Sequence, residues 1–212
     1  MPPVIDLDSQ SFVLRSTLTS PFGRKVRMAA EVLGLTSRIT VKPANTLDES
    51  DTLRTQNPLG KLPCLLLSDG SVLYDSRVIV EFLQEVAGTD RLLAQRGSAR
   101  YRALTLAALA DGITEAALLM VYEDRFRDAD MHSPRWLAHQ RGKIVRGMAA
   151  FESAPPNAAV TDIVSIGLAC ALGYLDWRKP VEWRQTNPRL AAWLETFAQH
   201  EPAVAQTLAE AT

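Results

Sequence analysis

Short apolar runs and one helical repeat alternate through the first part of the chain. Phe12-Val13-Leu14 and Ile39-Thr40-Val41 have the length and composition typical of buried strands. Between them a helix is predicted, beginning at Ser20 and ending at Gly34. Its apolar face has helical spacing and consists of Val26, Ala29, Ala30 and Leu33.

The pattern that follows is that of a hairpin and a second helix. Apolar runs at 62–67 and 72–74 flank the turn-forming sequence Ser68-Asp69-Gly70-Ser71. The polar segment before Asn57 predicts one short, loosely held helix. A longer helix is predicted over 75–87, with an apolar face of Val78, Ile79, Phe82, Leu83 and Val86. The order of strands and helices is that of a small mixed α/β domain.

After a polar connection at 88–98, the pattern becomes helical and no strand is predicted. Four segments carry the helical repeat: 99–127, 134–152, 162–176 and 188–199. Asp162 and Ser165 can form a capping box before an apolar run that continues to Leu175. This run is too short to cross a bilayer and predicts a buried central helix. We therefore expect an all-helical second domain.

Composition and charge narrow the choice of partners and compartment. The 212 residues are 47% hydrophobic, and 23 Lys and Arg balance 24 Asp and Glu. This charge balance favours neither a nucleic acid nor an anionic membrane as partner. Cys64 and Cys170 lie in apolar runs and the first residues do not resemble a secretory signal, so we expect a cytoplasmic protein without disulfides. The three histidines lack metal-ligand spacing, and no metal is expected.

Ser20 stands where the first helix begins, a position with two interpretations. Serine is a preferred N-cap, and Pro21 suits the first helical turn, so capping alone explains both residues. The same position also favours an anion such as a thiolate, because it presents unpaired N–H groups and the positive end of the helix dipole. A serine hydroxyl that donates a hydrogen bond would stabilise that thiolate further.

Three motifs in this order resemble the N-terminal domain of cytosolic glutathione S-transferases, in particular serine-type bacterial members. They are Ser20-Pro21-Phe22, the segment from Asn57 to Pro63, and Asp75-Ser76, and the apolar helix from Ile166 to Leu175 extends the match. No tyrosine precedes Tyr74 and no cysteine replaces Ser20, which argues against the tyrosine-type and cysteine-type members. One departure from the family is the capping box, where Asp162 and Ser165 have exchanged places.

The resemblance implies a domain organisation and an assembly. A thioredoxin-like glutathione-binding domain would span 1–87, with residues 1–11 as an extension. A linker at 88–98 would lead to a helical-bundle domain over 99–212 that forms the electrophile pocket. The family further implies a homodimer that acts in detoxification in the cytoplasm.

The resemblance also assigns roles around the glutathione thiol. Ser20 would be the catalytic residue that stabilises the thiolate, with Thr17 and Thr19 as alternative donors. A cis bond between Leu62 and Pro63 would turn the backbone of Leu62 toward the cysteinyl group of glutathione.

The remaining roles concern the two ends of glutathione and the second substrate. Lys61 would meet the glycyl carboxylate, or is a solvated surface lysine. Asp75 and Ser76 would hold the γ-glutamyl amine and carboxylate, although both also fit as helix caps. Asp111 would contact glutathione across the subunit interface. The wall of the electrophile pocket would include Met120, Tyr122 and Phe126.

The implied activity is a transferase reaction in which glutathione is a co-substrate and its thiolate attacks an electrophilic, mostly apolar compound. Two alternatives use the same glutathione-binding residues. One is a glutathione-dependent isomerase or dehalogenase. The other is a non-catalytic glutathione-binding or protein-interaction module, because a fold does not fix a function.

Overall fold

The computed structural model describes residues 10–208, which divide into two compact units. The first unit contains residues 10–93 together with the tail at 205–208, and the second contains residues 94–204. The tail therefore groups with the first unit, whereas the sequence suggested a helical domain that continues to residue 212. The local sequence pattern does not predict that residues 205–208 group with the first unit, because this grouping depends on contacts between residues far apart in the chain. The predicted extension at 1–11 lies almost entirely outside the described residues.

The first unit is a thioredoxin-like domain built on a four-stranded sheet. Its elements are β1 (Phe12–Arg15), α1 (Pro21–Val32), a 3-10 turn (Thr36–Arg38), β2 (Ile39–Lys42), α2 (Leu53–Gln56), β3 (Cys64–Leu66), β4 (Val72–Leu73) and α3 (Ser76–Val86). The strand order is β2-β1-β3-β4. Strands β1 and β2 are parallel, and β3 is antiparallel to both β1 and β4.

Helices α1 and α3 pack against each other within this unit, as their apolar faces predict. Val26 of α1 and Ile79 and Leu83 of α3 are fully buried. Val78 was predicted on the same face of α3, but it is 47% exposed. The prediction was wrong because the buried stripe of this helix is narrower than its run of apolar residues.

A buried arginine ties the segment before α2 to the sheet. Arg15 lies at the end of β1 and is 2% exposed. Its guanidinium forms an ion pair with Asp51 at 2.7 Å and donates to Thr52 Oγ1 and Gln56 Oε1 at 2.9 and 2.6 Å. The one-turn helix α2 is thus held by tertiary contacts, since a helix of four residues cannot hold itself.

The second unit is helical. It consists of α4 (Ser98–Phe126), a 3-10 turn (Ala129–Met131), α5 (Pro134–Ser153), α6 (Ile163–Arg178) and α7 (Pro188–His200), and the short α8 (Ala203–Gln206) runs into the tail. Helix α6 is buried along most of its length and packs on α4. The predicted capping box is confirmed: Asp162 Oδ1 accepts from the N–H of Ser165 at 2.9 Å, and Ser165 Oγ accepts from the N–H of Asp162 at 2.9 Å.

Helix α4 is the one helix among residues 10–208 that is long and apolar enough to cross a membrane. This is a weak indication, because the core helix of a soluble protein passes the same test. Four residues of its buried face, Ala110, Ile113, Ala116 and Ala117, are at most 1% exposed in the helical unit.

Candidate active site

The three motifs come together at one end of the sheet. Arg15 at the end of β1 pairs with Cys64 at the start of β3, so the turn after β1 and the segment before β3 leave the sheet side by side. Strand β4 runs antiparallel to β3 and pairs Leu73 with Leu65, which brings the start of α3 to the same end. The sheet topology thus gathers Ser20, Pro63 and Ser76.

Ser20 is the N-cap of α1, as predicted. Its Oγ accepts a hydrogen bond from the N–H of Gly23 at 3.1 Å. A hydroxyl also has one hydrogen to donate, and among residues 10–208 we find no acceptor for that of Ser20. By contrast, the hydroxyls of Thr17 and Thr19 lie 3.1 Å apart and hydrogen-bond to each other. That bond uses only one of the two threonine hydrogens, so the choice between Ser20 and a threonine as the donor to an anion stays a prediction.

The backbone adds a second donor, one of the unpaired N–H groups that the sequence predicted at this helix start without naming the residue. Pro21 has no N–H, the N–H of Gly23 is used by Ser20 Oγ, and the N–H of Arg24 is used by Ser20 C=O. The N–H of Phe22 makes no hydrogen bond within the described part of the chain. An anion at this helix start would meet the Phe22 N–H and the Ser20 hydroxyl together. The sequence could have indicated this donor, because proline has no N–H and Phe22 is therefore the first residue after Ser20 that has one.

Gly23 allows the first turn of α1 to lie against the preceding loop. A Cβ placed on Gly23 would come within 1.9 Å of Ser16 Oγ and 3.2 Å of Ser16 Cβ. Ser16 is fully buried, and its hydroxyl donates to the carbonyl of Thr17 at 3.2 Å. A side chain at position 23 would therefore displace the turn that carries Ser20.

The loop before β3 is shaped by Asn57 and a proline. Asn57 is 2% exposed, donates to the carbonyl of Lys61 at 2.9 Å and accepts from the N–H of Leu59 at 3.0 Å. The Leu62–Pro63 bond is cis, as the resemblance implied. The backbone N–H and C=O of Leu62 have no partner among the described residues, so both are available to a ligand. The Lys61 side chain is exposed.

Asp75 and Ser76 begin α3, and the two residues have different surroundings. The Asp75 carboxylate caps the helix through the N–H of Arg77 at 3.0 Å and forms an ion pair with the Arg77 guanidinium at 3.0 Å. Ser76 is 2% exposed, and its hydroxyl has no hydrogen-bond partner among residues 10–208. Asp75 is thus a cap, as one interpretation expected, whereas the binding of a ligand by the Ser76 hydroxyl stays a prediction.

Asp75 is held in its ionised form. Burial acts to raise the pKa of Asp75, but hydrogen bonds from the backbone and side chain of Arg77 and the charges of Arg77 and Lys25 outweigh it. The net effect holds the pKa of Asp75 below its usual range. The carboxylate therefore carries its negative charge at neutral pH.

Lys25 is a residue of this region that the sequence reasoning missed. It lies on α1, is 1% exposed, and its positive charge acts on Asp75. A lysine in an amphipathic helix normally reads as a solvated residue, so the sequence carries no signal for its burial. Its position adds a positive charge to the end of the sheet where the motifs meet.

The structure brings together only part of the predicted electrophile wall. Tyr122 and Phe126 form an edge-to-face pair on α4, with ring centroids 5.4 Å apart, and Phe126 is 61% exposed. Met120, the third residue predicted for this wall, is 8% exposed, and its contact with an electrophile stays a prediction. Asp111 is 9% exposed, and its contact with a second subunit stays a prediction.

The cysteines and the groups of possible metal ligands were the other candidates for chemistry within residues 10–208. Cys64 and Cys170 are buried and form no disulfide within the described residues, and burial raises the pKa of the Cys64 thiol despite the opposing charge of Arg15. Within residues 10–208, no three His, Cys, Asp or Glu side chains are grouped to hold a metal ion.

Comparison with known proteins agrees with this arrangement. Residues 19–86 match the model of the family described as glutathione S-transferase, N-terminal domain. The uncharacterised GST-like protein YibF of Escherichia coli is 33% identical over 202 residues, which cover 89% of this chain and 98% of that protein.

Solved structures extend the similarity to the whole chain. A glutathione transferase family member from Pseudomonas fluorescens with bound glutathione is 42% identical, with a TM-score of 0.89 over 95% of this chain and all of that one. A structure of a Pseudomonas fluorescens family member with bound S-(propanoic acid)-glutathione has a TM-score of 0.83 at 42% identity, covering 93% of this chain and 98% of that one. With both of its units matched, and with a relative that it covers almost completely, the chain belongs to the glutathione S-transferase family.

Proposed function

We propose that this protein is a glutathione transferase in which Ser20 stabilises the glutathione thiolate for attack on an electrophilic carbon. The observation that carries the proposal is the convergence of three motifs at one end of the sheet, with donors at Ser20, Phe22 and Ser76 that no described residue uses. A capping serine alone would not need the other two motifs beside it. We expect a cytoplasmic enzyme.

Thiol activation is the chemical step that these donors would serve. A thiol with a pKa of about 8.5 is only about 3% ionised at pH 7, whereas one with a pKa of about 6.5 is roughly three quarters ionised. Hydrogen bonds from the Ser20 hydroxyl and the Phe22 N–H stabilise the charged form and lower the thiol pKa. The start of α1 adds its dipole to the same effect.

The rest of glutathione would be held by groups that its ends require. The Ser76 hydroxyl is assigned to the γ-glutamyl carboxylate and the ionised Asp75 to the γ-glutamyl amine. The N–H and C=O of Leu62 are assigned to the cysteinyl backbone, beside the cis bond to Pro63. The exposed Lys61 is assigned to the glycyl carboxylate.

Conjugation is the reaction that we favour over a non-catalytic role. The Pseudomonas fluorescens relative binds S-(propanoic acid)-glutathione, a glutathione that carries a substituent on sulfur. In this chain, Tyr122 and Phe126 are assigned to the electrophile because Phe126 is largely exposed. Product analysis distinguishes conjugation from isomerisation or dehalogenation. A transferase releases a product with a carbon–sulfur bond to glutathione, whereas an isomerase or a reductive dehalogenase releases a product without glutathione attached.

The decisive experiment follows the ultraviolet absorbance of the thiolate while glutathione is titrated across a range of pH. We expect a thiolate band at neutral pH in the wild type that weakens in Ser20→Ala, with glutathione binding retained by calorimetry. Thr19→Ala is the matched control and should leave the band unchanged. A band that survives Ser20→Ala but disappears in Thr19→Ala would transfer the role to the threonine. Binding without a band in the wild type would indicate a non-catalytic module.

The family also leads us to propose a homodimer, in which Asp111 contacts glutathione bound to the other subunit. Sedimentation equilibrium measures the mass directly. If Asp111→Asn raises the KM for glutathione in a dimer, the cross-subunit role is supported. A monomer with full activity would exclude it.

A further inference from the structure

Aromatic rings and guanidinium groups gather where α4 and α6 end. These two helices pack against each other, and Tyr174 of α6 lies within electrostatic reach of Tyr122 and Arg125 of α4. We call this group the aromatic-arginine cluster. Its members are Tyr122, Arg125, Phe126, Tyr174, Trp177 and Arg178.

The exposed aromatic rings of the cluster pack against other rings of the cluster. Phe126 and Trp177 are 61% and 40% exposed, so both present ring surface that a ligand can contact. Each is packed edge-to-face on a tyrosine, Phe126 on Tyr122 at 5.4 Å and Trp177 on Tyr174 at 6.0 Å between centroids. Tyr174 itself is 5% exposed and anchors its end of the group. A planar apolar ligand would therefore meet rings that are already packed against their neighbours.

Two arginines of the cluster lie on rings and not on acids. The Arg178 guanidinium lies 3.7 Å from the centroid of Trp177, and that of Arg125 lies 5.4 Å from the centroid of Tyr122. Stacking uses the face of a guanidinium and leaves its in-plane N–H groups to donate. Arg178 gives one of these to the Tyr174 hydroxyl and keeps others for a ligand. These donors have the geometry that a carboxylate accepts.

The acidic residues at the same helix ends are engaged elsewhere. Glu123 accepts from Arg127 and from the N–H of Ser133. Asp176 accepts from Trp183 and Arg184, and Asp124 lies beside His132. Among the residues that the structure describes, none of these carboxylates pairs with Arg125 or Arg178. The cluster thus combines exposed rings with two guanidinium groups for which the described residues provide no ion-pair partner.

We propose that the aromatic-arginine cluster selects an aromatic electrophile that carries a carboxylate. The rings contact the aromatic body, and the guanidinium groups of Arg125 and Arg178 bind the carboxylate. This inference rests on the proposed transferase function and specifies its second substrate. The probe reaction is substitution: the glutathione thiolate attacks the chlorine-bearing carbon of 4-chloro-3,5-dinitrobenzoate, a carbon–sulfur bond forms, and chloride leaves with the electron pair of its bond.

The test compares this acid with its neutral methyl ester, which has the same ring and leaving group. Arg125→Gln and Arg178→Gln should each lower kcat/KM for the acid by about 10-fold and leave that for the ester within about 2-fold, as expected for loss of one charged hydrogen bond. Arg102→Gln is the matched control, because Arg102 is an exposed arginine on α4 outside the cluster. Trp177→Ala should lower kcat/KM for both the acid and the ester. Circular dichroism checks that each variant is folded.

A binding experiment separates this inference from the proposed function. Calorimetry with 3,5-dinitrobenzoate and its methyl ester needs no turnover. If the acid binds more tightly and loses this advantage in the two cluster variants, the inference holds even if no conjugate is ever formed. If the ester is conjugated but the acid binds no better than the ester, the inference fails while the transferase stands. An equal loss of the acid's advantage in Arg102→Gln would also overturn the inference, because the preference would then come from the overall positive charge of the surface and not from the cluster.

Discussion

At the scale of single residues, the contact between Gly23 and Ser16 fixes the turn that carries Ser20. We predict that Gly23→Ala destabilises the protein by about 1–3 kcal/mol, because the new methyl group would meet Ser16 Oγ at 1.9 Å. The cost exceeds the gain in helix propensity of up to about 1 kcal/mol. Urea unfolding measures it. Ser16→Ala removes the clashing oxygen, so the double variant should recover most of the loss; strict additivity would contradict the contact.

Asp75 gives a prediction for the pH dependence of stability. Its pKa is lowered in the folded protein from an ordinary value of 3.8, so the ionised form contributes stability above that pH and loses it as the pH falls through the lowered value. Asp75 and Arg77 are each about half exposed, which limits the contribution to about 0.5 kcal/mol. Asp75→Asn should be less stable than wild type at neutral pH, and the difference should shrink as the pH falls below 3.8 and vanish once it lies below the lowered pKa of Asp75. A gap that widens on acidification would contradict this sign.

The positions and surroundings of some residues could be predicted from the sequence, and those of others could not. Ser20 and Pro21 are signalled by local capping preferences, so the start of α1 was predictable to the residue. The cis bond at Pro63 came only from the family resemblance, because proline alone favours trans. Lys25 and Arg15 were not predicted, since their burial depends on partners far along the chain. The N–H of Phe22 could be identified as a donor only once the hydrogen bonds of the neighbouring N–H groups were known.

At the scale of elements, the capping box of α6 should stabilise the helical unit. Asp162→Ala removes acceptors for two N–H groups, those of Val164 and Ser165, and we predict a loss of about 1–2 kcal/mol in urea unfolding. The control is Ser133→Ala at the exposed start of α5, where one N–H loses its acceptor, with a smaller expected loss. Equal losses at the two positions would show that the burial of α6 adds nothing to its cap.

The element predictions succeeded where a periodic pattern and a cap agreed. The helices α4 to α7 were all expected, and their ends differ from the prediction by at most a few residues. Short elements were harder: α2 depends on Arg15, and α8 has too few residues to carry a period. Val78 shows a further limit, because the amount of a helix face that is buried depends on what packs against it.

At the scale of the whole molecule, glutathione should stabilise the protein by mass action. A ligand that binds only the folded state at 100 times its dissociation constant adds about 2.7 kcal/mol, roughly 5–10 °C in Tm for a chain of this size. Ser76→Ala should lose most of this shift, because its buried hydroxyl is assigned to the γ-glutamyl carboxylate. Ser71→Ala, whose hydroxyl binds Asp69 in the hairpin turn, should keep it. Ser20→Ala should also keep the shift while losing the thiolate band, since the hydroxyl is assigned to activation more than to binding. If Ser76→Ala retains the full rise in Tm and Ser20→Ala loses it, the two roles have been assigned to the wrong residues.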